Sequence, residues 1–143
     1  GGTKAGLLFG EAVVIPNPNL NHDFRYLIKQ HGGMLAKGRL LGVQFEAFLK
    51  DGLFLEIGRQ EVDQALRIRN AFVENGYSLF VDSATNQQFP VLTNGDLAVL
   101  SSRYSFEVWA KVDQAHTAVR FCTSWSTTDA DVDALIADIR GLP

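Results

Sequence analysis

Cysteine is almost absent from this sequence, which has a single one, Cys122, among 143 residues. One cysteine excludes a disulfide within the chain, and with it the usual framework of a small secreted scaffold. The sequence has no basic segment followed by an apolar one, which is the pattern typical of a secretory signal. We therefore expect a cytoplasmic protein, although a chain that begins at Gly1 without a methionine is also compatible with a piece of a longer one.

Long apolar runs and a large excess of one charge are missing as well. No segment approaches the roughly 18 uncharged apolar residues of a membrane span. The 13 lysines and arginines against 16 aspartates and glutamates give a net charge of −3, without the basic patch that nucleic acid requires. A hydrophobic share of 46% is too high for a disordered chain. We expect a globular protein that binds neither membranes nor nucleic acid.

Apolar spacing in the first third of the chain predicts one strand followed by helices. The run 12–15 holds Ala, Val, Val and Ile between turn residues, which is typical of a buried strand. Pro18 predicts the start of a helix that Gly32 ends, because proline suits the first helical position and glycine the position after the last. A second helix is predicted from about 35 to 49. These elements make residues 1–50 one part of the chain.

Residues 51–143 predict an α+β domain in which helices cover an antiparallel sheet. A helical pattern from residue 53 ends at Gly76, and four alternating segments then predict strands with a short helix between the second and third. Pro90 in the second of these strands favours an edge position. Thr128, followed three residues later by an aspartate, resembles a capping box before the last helix.

Side chains with catalytic or metal-binding potential are few. The sequence has no phosphate-binding loop, no zinc-ligand spacing and no nucleophile elbow. The three histidines lie in separate helix-end or loop contexts, so we expect no metal site. Cys122 lies within a predicted strand, and we expect it to be a small buried residue rather than a reactive thiol. The histidines are His22, His31 and His116.

The segment Gly1-Gly2-Thr3-Lys4 is the most informative one. Two glycines let the backbone pass close to a bound group, and a lysine beside them can form an imine with an aldehyde cofactor. By spacing alone, a solvated lysine near a frayed end is the more frequent outcome. Together with the run 7–14, however, the segment resembles the pyridoxal-phosphate attachment site of the low-specificity threonine aldolase and β-eliminating lyase family.

This resemblance extends over nearly all of the chain. It implies a fold-type-I, aspartate-aminotransferase-like α/β protein, with residues 1–50 as the tail of the large cofactor-binding domain and its helical arm. Residues 51–143 would be the α+β small domain. The chain resembles the C-terminal portion of such an enzyme. The matching residues are Asn17-Pro18, Asp23-Phe24, Lys29-Gln30, Gly32-Gly33, Lys37, Arg39, Gln44-Phe45, Thr85-Asn86-Gln87, Val119-Arg120-Phe121, Ser124-Trp125 and residues 131–135.

The resemblance also implies roles for four residues. Lys4 would carry the covalent bond to pyridoxal 5'-phosphate, and Thr3 would contact the same cofactor. Arg120 would bind the substrate carboxylate, since a guanidinium offers two parallel donors to a carboxylate. Arg39 is assigned to the substrate site, where the family has an arginine near the cofactor of a neighbouring subunit. The pattern alone leaves one other interpretation open for each residue: Arg120 as a strand arginine that faces solvent, and Arg39 as a helix-surface arginine.

The implied function is that of a lyase. It would cleave β-hydroxy-α-amino acids such as L-threonine into glycine and an aldehyde, as a homo-oligomer, either a dimer or a tetramer. Two alternatives stay open: a β-eliminating lyase acting on another amino acid, and a catalytically silent small-domain fragment that serves only oligomer contacts. We expect the isolated chain to be inactive, because the rest of the family's cofactor site lies in its N-terminal half.

Overall fold

The computed structural model describes all 143 residues and divides them into two compact units, Gly1–Phe54 and Leu55–Pro143. The division falls near the start of a long helix, α3 (Leu53–Glu74). The assignment of residues 1–50 to the tail of a large domain stays a prediction.

The first unit consists of short helices and turns joined by irregular chain. Its few buried side chains include Leu7 and Phe48, and the Phe48 ring packs edge-on against Phe54 at a centroid distance of 5.0 Å. Most of its other apolar side chains are exposed. The elements are the 3-10 turns Thr3–Ala5, Pro18–Leu20 and Lys50–Gly52 and the helices α1 (Phe24–Gln30) and α2 (Arg39–Leu49).

The strand predicted at residues 12–15 does not form. The segment is irregular, and its Val14 is 82% exposed. A strand exists only through hydrogen bonds to a neighbouring strand, and residues 1–54 contain none. The β-branched residues therefore favour a strand, but this unit contains no second strand with which they can pair.

Both helices of the first unit begin later than predicted. The Asn17 side chain accepts a hydrogen bond from the Asn19 N–H at 3.0 Å, so the predicted start at Pro18 is real, but it opens only a 3-10 turn. Asp23 then adopts a φ of 53°, which no regular helix allows, and α1 begins only after it. The second helix begins at Arg39 rather than near residue 35.

The second unit is a four-stranded antiparallel sheet with helices on one face, as predicted. The strands lie in the order β1-β2-β4-β3, so consecutive strands β3 and β4 form a hairpin at one side. Helices α3 and α5 contribute apolar side chains to a core with β2 and β4, centred on the fully buried Phe72. The elements after α3 are β1 (Leu79–Val81), β2 (Gln87–Thr93), α4 (Asn94–Ser101), β3 (Glu107–Lys111), β4 (His116–Cys122) and α5 (Asp129–Arg140).

The helix ends of the second unit follow the predicted signals. Gly76 adopts a φ of 88°, a left-handed conformation that costs glycine little, and α3 ends just before it. The capping box at α5 is confirmed: the Thr128 hydroxyl accepts from the Asp131 N–H at 3.2 Å, and the Asp131 carboxylate accepts from the Thr128 N–H at 3.1 Å.

The predicted edge position of Pro90 is wrong. Its strand, β2, lies inside the sheet between β1 and β4, and Pro90 itself is buried. The β1–β2 pairing is irregular here, since Leu79 faces Pro90 while Val81 faces Phe89. A bulge is the other place in a sheet where a residue without an N–H is tolerated, which is why an interior strand can hold it.

A buried carboxylate links α4 to the end of α3. Asp96 is almost completely buried and accepts a hydrogen bond from the Thr93 hydroxyl at 2.7 Å. It also hydrogen-bonds to the Tyr77 hydroxyl. The pKa of Tyr77 is raised to about 12, first by burial and then by the hydrogen bond to Asp96 and the negative charge of Asp96. The phenol therefore stays protonated and remains a hydrogen-bond donor.

Candidate functional site

Arg120 lies on the face of the sheet opposite the helices, where it contacts an amide and an aromatic ring. Residues 88, 90 and 92 of β2 point into the core, so Gln87 and Phe89 occupy the outer face. The Arg120 Nη1 donates to the Gln87 Oε1 at 3.3 Å. The Arg120 Cζ lies 5.5 Å from the centroid of the Trp109 ring, a cation–π distance.

No carboxylate of the chain neutralises Arg120. Glu107 of β3 is its cross-strand partner, so both side chains leave the sheet on the same face. Nevertheless, the ion pairs of the structure do not include Arg120. Its Nε is buried and has no hydrogen-bond partner. The guanidinium therefore keeps a net charge and free donors, which is the state that a site for an external carboxylate requires.

Lys4 and Thr3 lie in the first 3-10 turn of the chain, and both side chains are exposed. The turn is closed by the Gly2 carbonyl, which accepts from the N–H groups of Ala5 at 3.1 Å and Leu7 at 3.0 Å. The Lys4 amine forms no hydrogen bond or ion pair. It is therefore accessible to an aldehyde from outside the chain.

The segment after Lys4 is attached to α2 by one glutamine. The Gln44 Oε1 accepts from the Leu8 N–H at 2.9 Å, and its Nε2 donates to the Leu40 carbonyl at 2.9 Å and the Phe9 carbonyl at 3.5 Å. Gly10 continues this contact, since a Cβ there would lie 2.6 Å from the Leu41 Cδ2. The first residues of the chain thus have a defined position against the helix that Arg39 begins.

Arg39, the first residue of α2, is exposed and forms no ion pair. It borders an open depression of about 540 Å³ whose other walls are residues 36–38, Leu40 and Val43. Of the four site residues predicted from the sequence, Lys4, Thr3 and Arg39 lie in the first unit and Arg120 in the second.

Cys122 is exposed, which corrects the prediction of a buried thiol. It is the last residue of β4 and faces Gln87 in register, so its side chain leaves the sheet on the outer face. The alternation of β4 explains the error, because the residues that do enter the core are its neighbours Phe121 and Thr123.

No group of three or more His, Cys, Asp and Glu side chains is placed to hold a metal ion. None of the helices is both long and apolar enough to cross a membrane.

Comparison with known proteins gives matches both in sequence and in structure. No protein-family model matches the chain. A low specificity L-threonine aldolase from a Pseudomonas species is 32% identical over 148 residues, which is 99% of this chain and 40% of that protein. The enzyme of the same name from Pseudomonas aeruginosa is also 32% identical, over 98% of this chain. Along nearly its whole length, the chain is similar to a part of these threonine aldolases.

The solved structure of Leishmania major threonine aldolase extends this relationship to the fold. It superimposes with a TM-score of 0.78 and 34% identity over 87% of this chain and 35% of that one. The predicted fold class, part of a fold-type-I α/β protein, is confirmed by this match. The chain spans about two fifths of the length of the curated threonine aldolases that it matches.

Three residues of the site region were not singled out for a role by the sequence. Gln87 and Gln44 occur in matching segments, but nothing in the pattern indicates which side chains they contact. Trp109 lies in a strand whose alternation is interrupted: the β3–β4 register shifts between Val108 and Ala110.

Proposed function

We propose that the protein to which this chain belongs is a pyridoxal-phosphate-dependent lyase that cleaves β-hydroxy-α-amino acids such as L-threonine into glycine and an aldehyde. Two threonine aldolases that match nearly the whole chain, over 40% of their own length, support this proposal. The observation that carries it in the structure is Arg120, whose charge no carboxylate neutralises although Glu107 lies directly across the ladder.

Arg120 would bind the substrate carboxylate. Its guanidinium has donors that the chain leaves free, and a charge-assisted pair with a carboxylate fixes the plane of that group. A fixed carboxylate in turn limits rotation about the Cα of the substrate, which decides the bond that breaks. A lysine in this position would retain the charge but lose the planar pair of donors.

The residues at the beginning of the chain fit pyridoxal phosphate in their chemistry. Lys4 offers an accessible, unpaired primary amine, which is the group that reacts with the cofactor aldehyde, and Thr3 offers an exposed hydroxyl beside it. When bound, this cofactor supplies the electron sink that stabilises negative charge at the substrate Cα. Arg39, exposed and without a partner, would contribute a second cationic group at the substrate site.

The remaining details of the proposal concern the assembly and its location. We propose a homo-oligomer, dimer or tetramer, because the first unit exposes many apolar side chains that a second copy can cover. The cytoplasmic location stays a prediction from the low cysteine content. Aldol cleavage is preferred to β-elimination because both curated relatives are named as aldolases.

The decisive experiment uses the protein as its gene encodes it, supplied with pyridoxal phosphate. We expect L-threonine to yield glycine and acetaldehyde, and borohydride reduction to attach the cofactor to Lys4, as found by peptide mass mapping. Lys4→Arg should abolish both results, since arginine cannot form the covalent bond. Lys37→Arg, an exposed lysine of the same unit, is the matched control and should leave both unchanged. Attachment at another lysine, or no cleavage of threonine, would contradict the proposal.

A further inference from the structure

The second unit contains a pair of side chains that contact the Arg120 guanidinium without neutralising it. Gln87 accepts from Nη1 at 3.3 Å, and the Trp109 ring covers the guanidinium with its Cζ 5.5 Å from the ring centroid. An amide oxygen is a neutral acceptor, and an indole face attracts a cation without forming an ion pair. Both contacts therefore orient the group and leave its charge available.

The surroundings hold these two contacts in place. The Trp109 ring packs edge-on against Phe89 of β2 at a centroid distance of 5.1 Å. Gln88, the neighbour of Gln87, is fully buried on the opposite face, and its Nε2 donates to the carbonyls of Ser83 at 3.1 Å and Thr85 at 2.7 Å. This anchor fixes the start of β2, and successive residues of a strand point to opposite faces, so Gln87 is directed outward to Arg120.

The position of Glu107 shows what the pair prevents. As the cross-strand partner of Arg120, Glu107 is the carboxylate of the chain best placed to form an ion pair with it. Instead the guanidinium turns to Gln87 on β2 and lies against Trp109. An internal ion pair would compete with an external carboxylate for the same donors. A neutral amide as the acceptor avoids that competition.

We infer that Gln87 and Trp109 are positioning residues, which hold Arg120 in an orientation and charge state that select a substrate with a free α-carboxylate. This inference rests on the proposed function. It assigns the specificity for the carboxylate to three side chains of one sheet face rather than to the arginine alone. Substrates in which the carboxylate is an ester or amide would lose the same interaction.

The test replaces the neutral acceptor with a charged one of the same shape. In the gene-encoded protein loaded with pyridoxal phosphate, Gln87→Glu places a carboxylate on Nη1. We expect it to raise KM for L-threonine, and Kd for glycine measured by calorimetry, tenfold or more, with kcat changed less than threefold. Binding is lost because the internal pair must be broken first, whereas the substrate that does bind reacts as before.

Two further variants separate this effect from general electrostatics and from misfolding. Glu107→Gln removes a carboxylate from the same face but no contact with Arg120, so KM should stay within twofold. Gln87→Leu removes the acceptor without adding charge, and we expect KM to rise threefold to tenfold. In an Arg120→Ala background, Gln87→Glu should have no additional effect, because its action passes through the guanidinium.

The outcomes distinguish a failure of the positioning role from a failure of the carboxylate role of Arg120. If Arg120→Ala raises KM and Kd at least tenfold but both Gln87 variants leave them within twofold, the positioning role is wrong and the carboxylate role of Arg120 stands. If Arg120→Ala itself leaves both within twofold, the carboxylate role is wrong and the inference falls with it. Equal rises in KM for Gln87→Leu and Glu107→Gln would also overturn it, since the contact with Arg120 would then not matter.

Discussion

The buried contact between Tyr77 and Asp96 predicts how the stability of the second unit depends on pH. The folded pKa of Tyr77, about 12, lies above the ordinary tyrosine value of 10. A raised folded pKa means that the unfolded chain loses its proton first. The stabilisation is therefore complete below pH 10 and is lost as the pH rises from 10 to 12.

The magnitude follows from the two pKa values. At pH 11 the phenol is mostly ionised in the unfolded chain and mostly protonated in the folded one, so the free energy of unfolding falls by about 1.4 kcal/mol relative to pH 9. Tyr77→Phe removes this dependence but retains the ring, which packs edge-on against Phe72 at 5.6 Å. The difference in stability between the natural chain and this variant should thus shrink by about 1.4 kcal/mol between pH 9 and pH 11.

Urea unfolding of the 143-residue chain, followed by circular dichroism, measures this difference at both pH values. Other groups that titrate in this range affect both proteins equally and cancel. Tyr26→Phe is the matched control, because it removes the hydroxyl of a tyrosine that is 74% exposed. A difference between natural chain and Tyr77→Phe that is the same at pH 9 and pH 11 would refute the argument that burial and Asp96 hold the proton on Tyr77.

Two other predictions concern the surface. The exposed thiol of Cys122 should react with a disulfide reagent in the native chain at a rate within a few-fold of that in urea, and reaction only after unfolding would show that the thiol is covered. The exposed apolar side chains of the first unit, among them Leu8 and Leu20, should drive self-association that sedimentation velocity detects as concentration rises; a chain that stays monomeric at its highest attainable concentration would contradict this.

Local signals along the chain predicted most of the second unit. The end of α3 at Gly76 and the capping box at Thr128 each depend on residues within a few positions of one another, so they can be recognised from the sequence. Pro90 could not be placed correctly by the same means. The position of β2 inside the sheet depends on β4, more than twenty residues further along the chain, and the bulge that tolerates the proline depends on β1.

Sequence reasoning was weaker for the first unit and for the surroundings of the candidate site. The apolar run 12–15 has the composition of a strand, yet a strand also needs a partner, and composition does not supply one. Arg120 was recognised through its family resemblance. Its contact with Gln87 joins residues 33 positions apart, and Trp109, whose ring lies against it, stands where the β3–β4 register shifts. A local pattern reveals neither the contact nor the shift.

The bulge at Trp109 has a consequence for how such a sheet can change in evolution. Trp109 is the extra residue on β3: Glu107 and Val108 pair in one register with Arg120 and Val119, and Ala110 resumes one residue later against Ala118. Loss of the Trp109 codon alone would restore an uninterrupted ladder without moving any other residue of β3 out of its pairing. The aromatic cover over Arg120 is therefore a removable module, which a lineage can gain or discard by a single in-frame insertion or deletion.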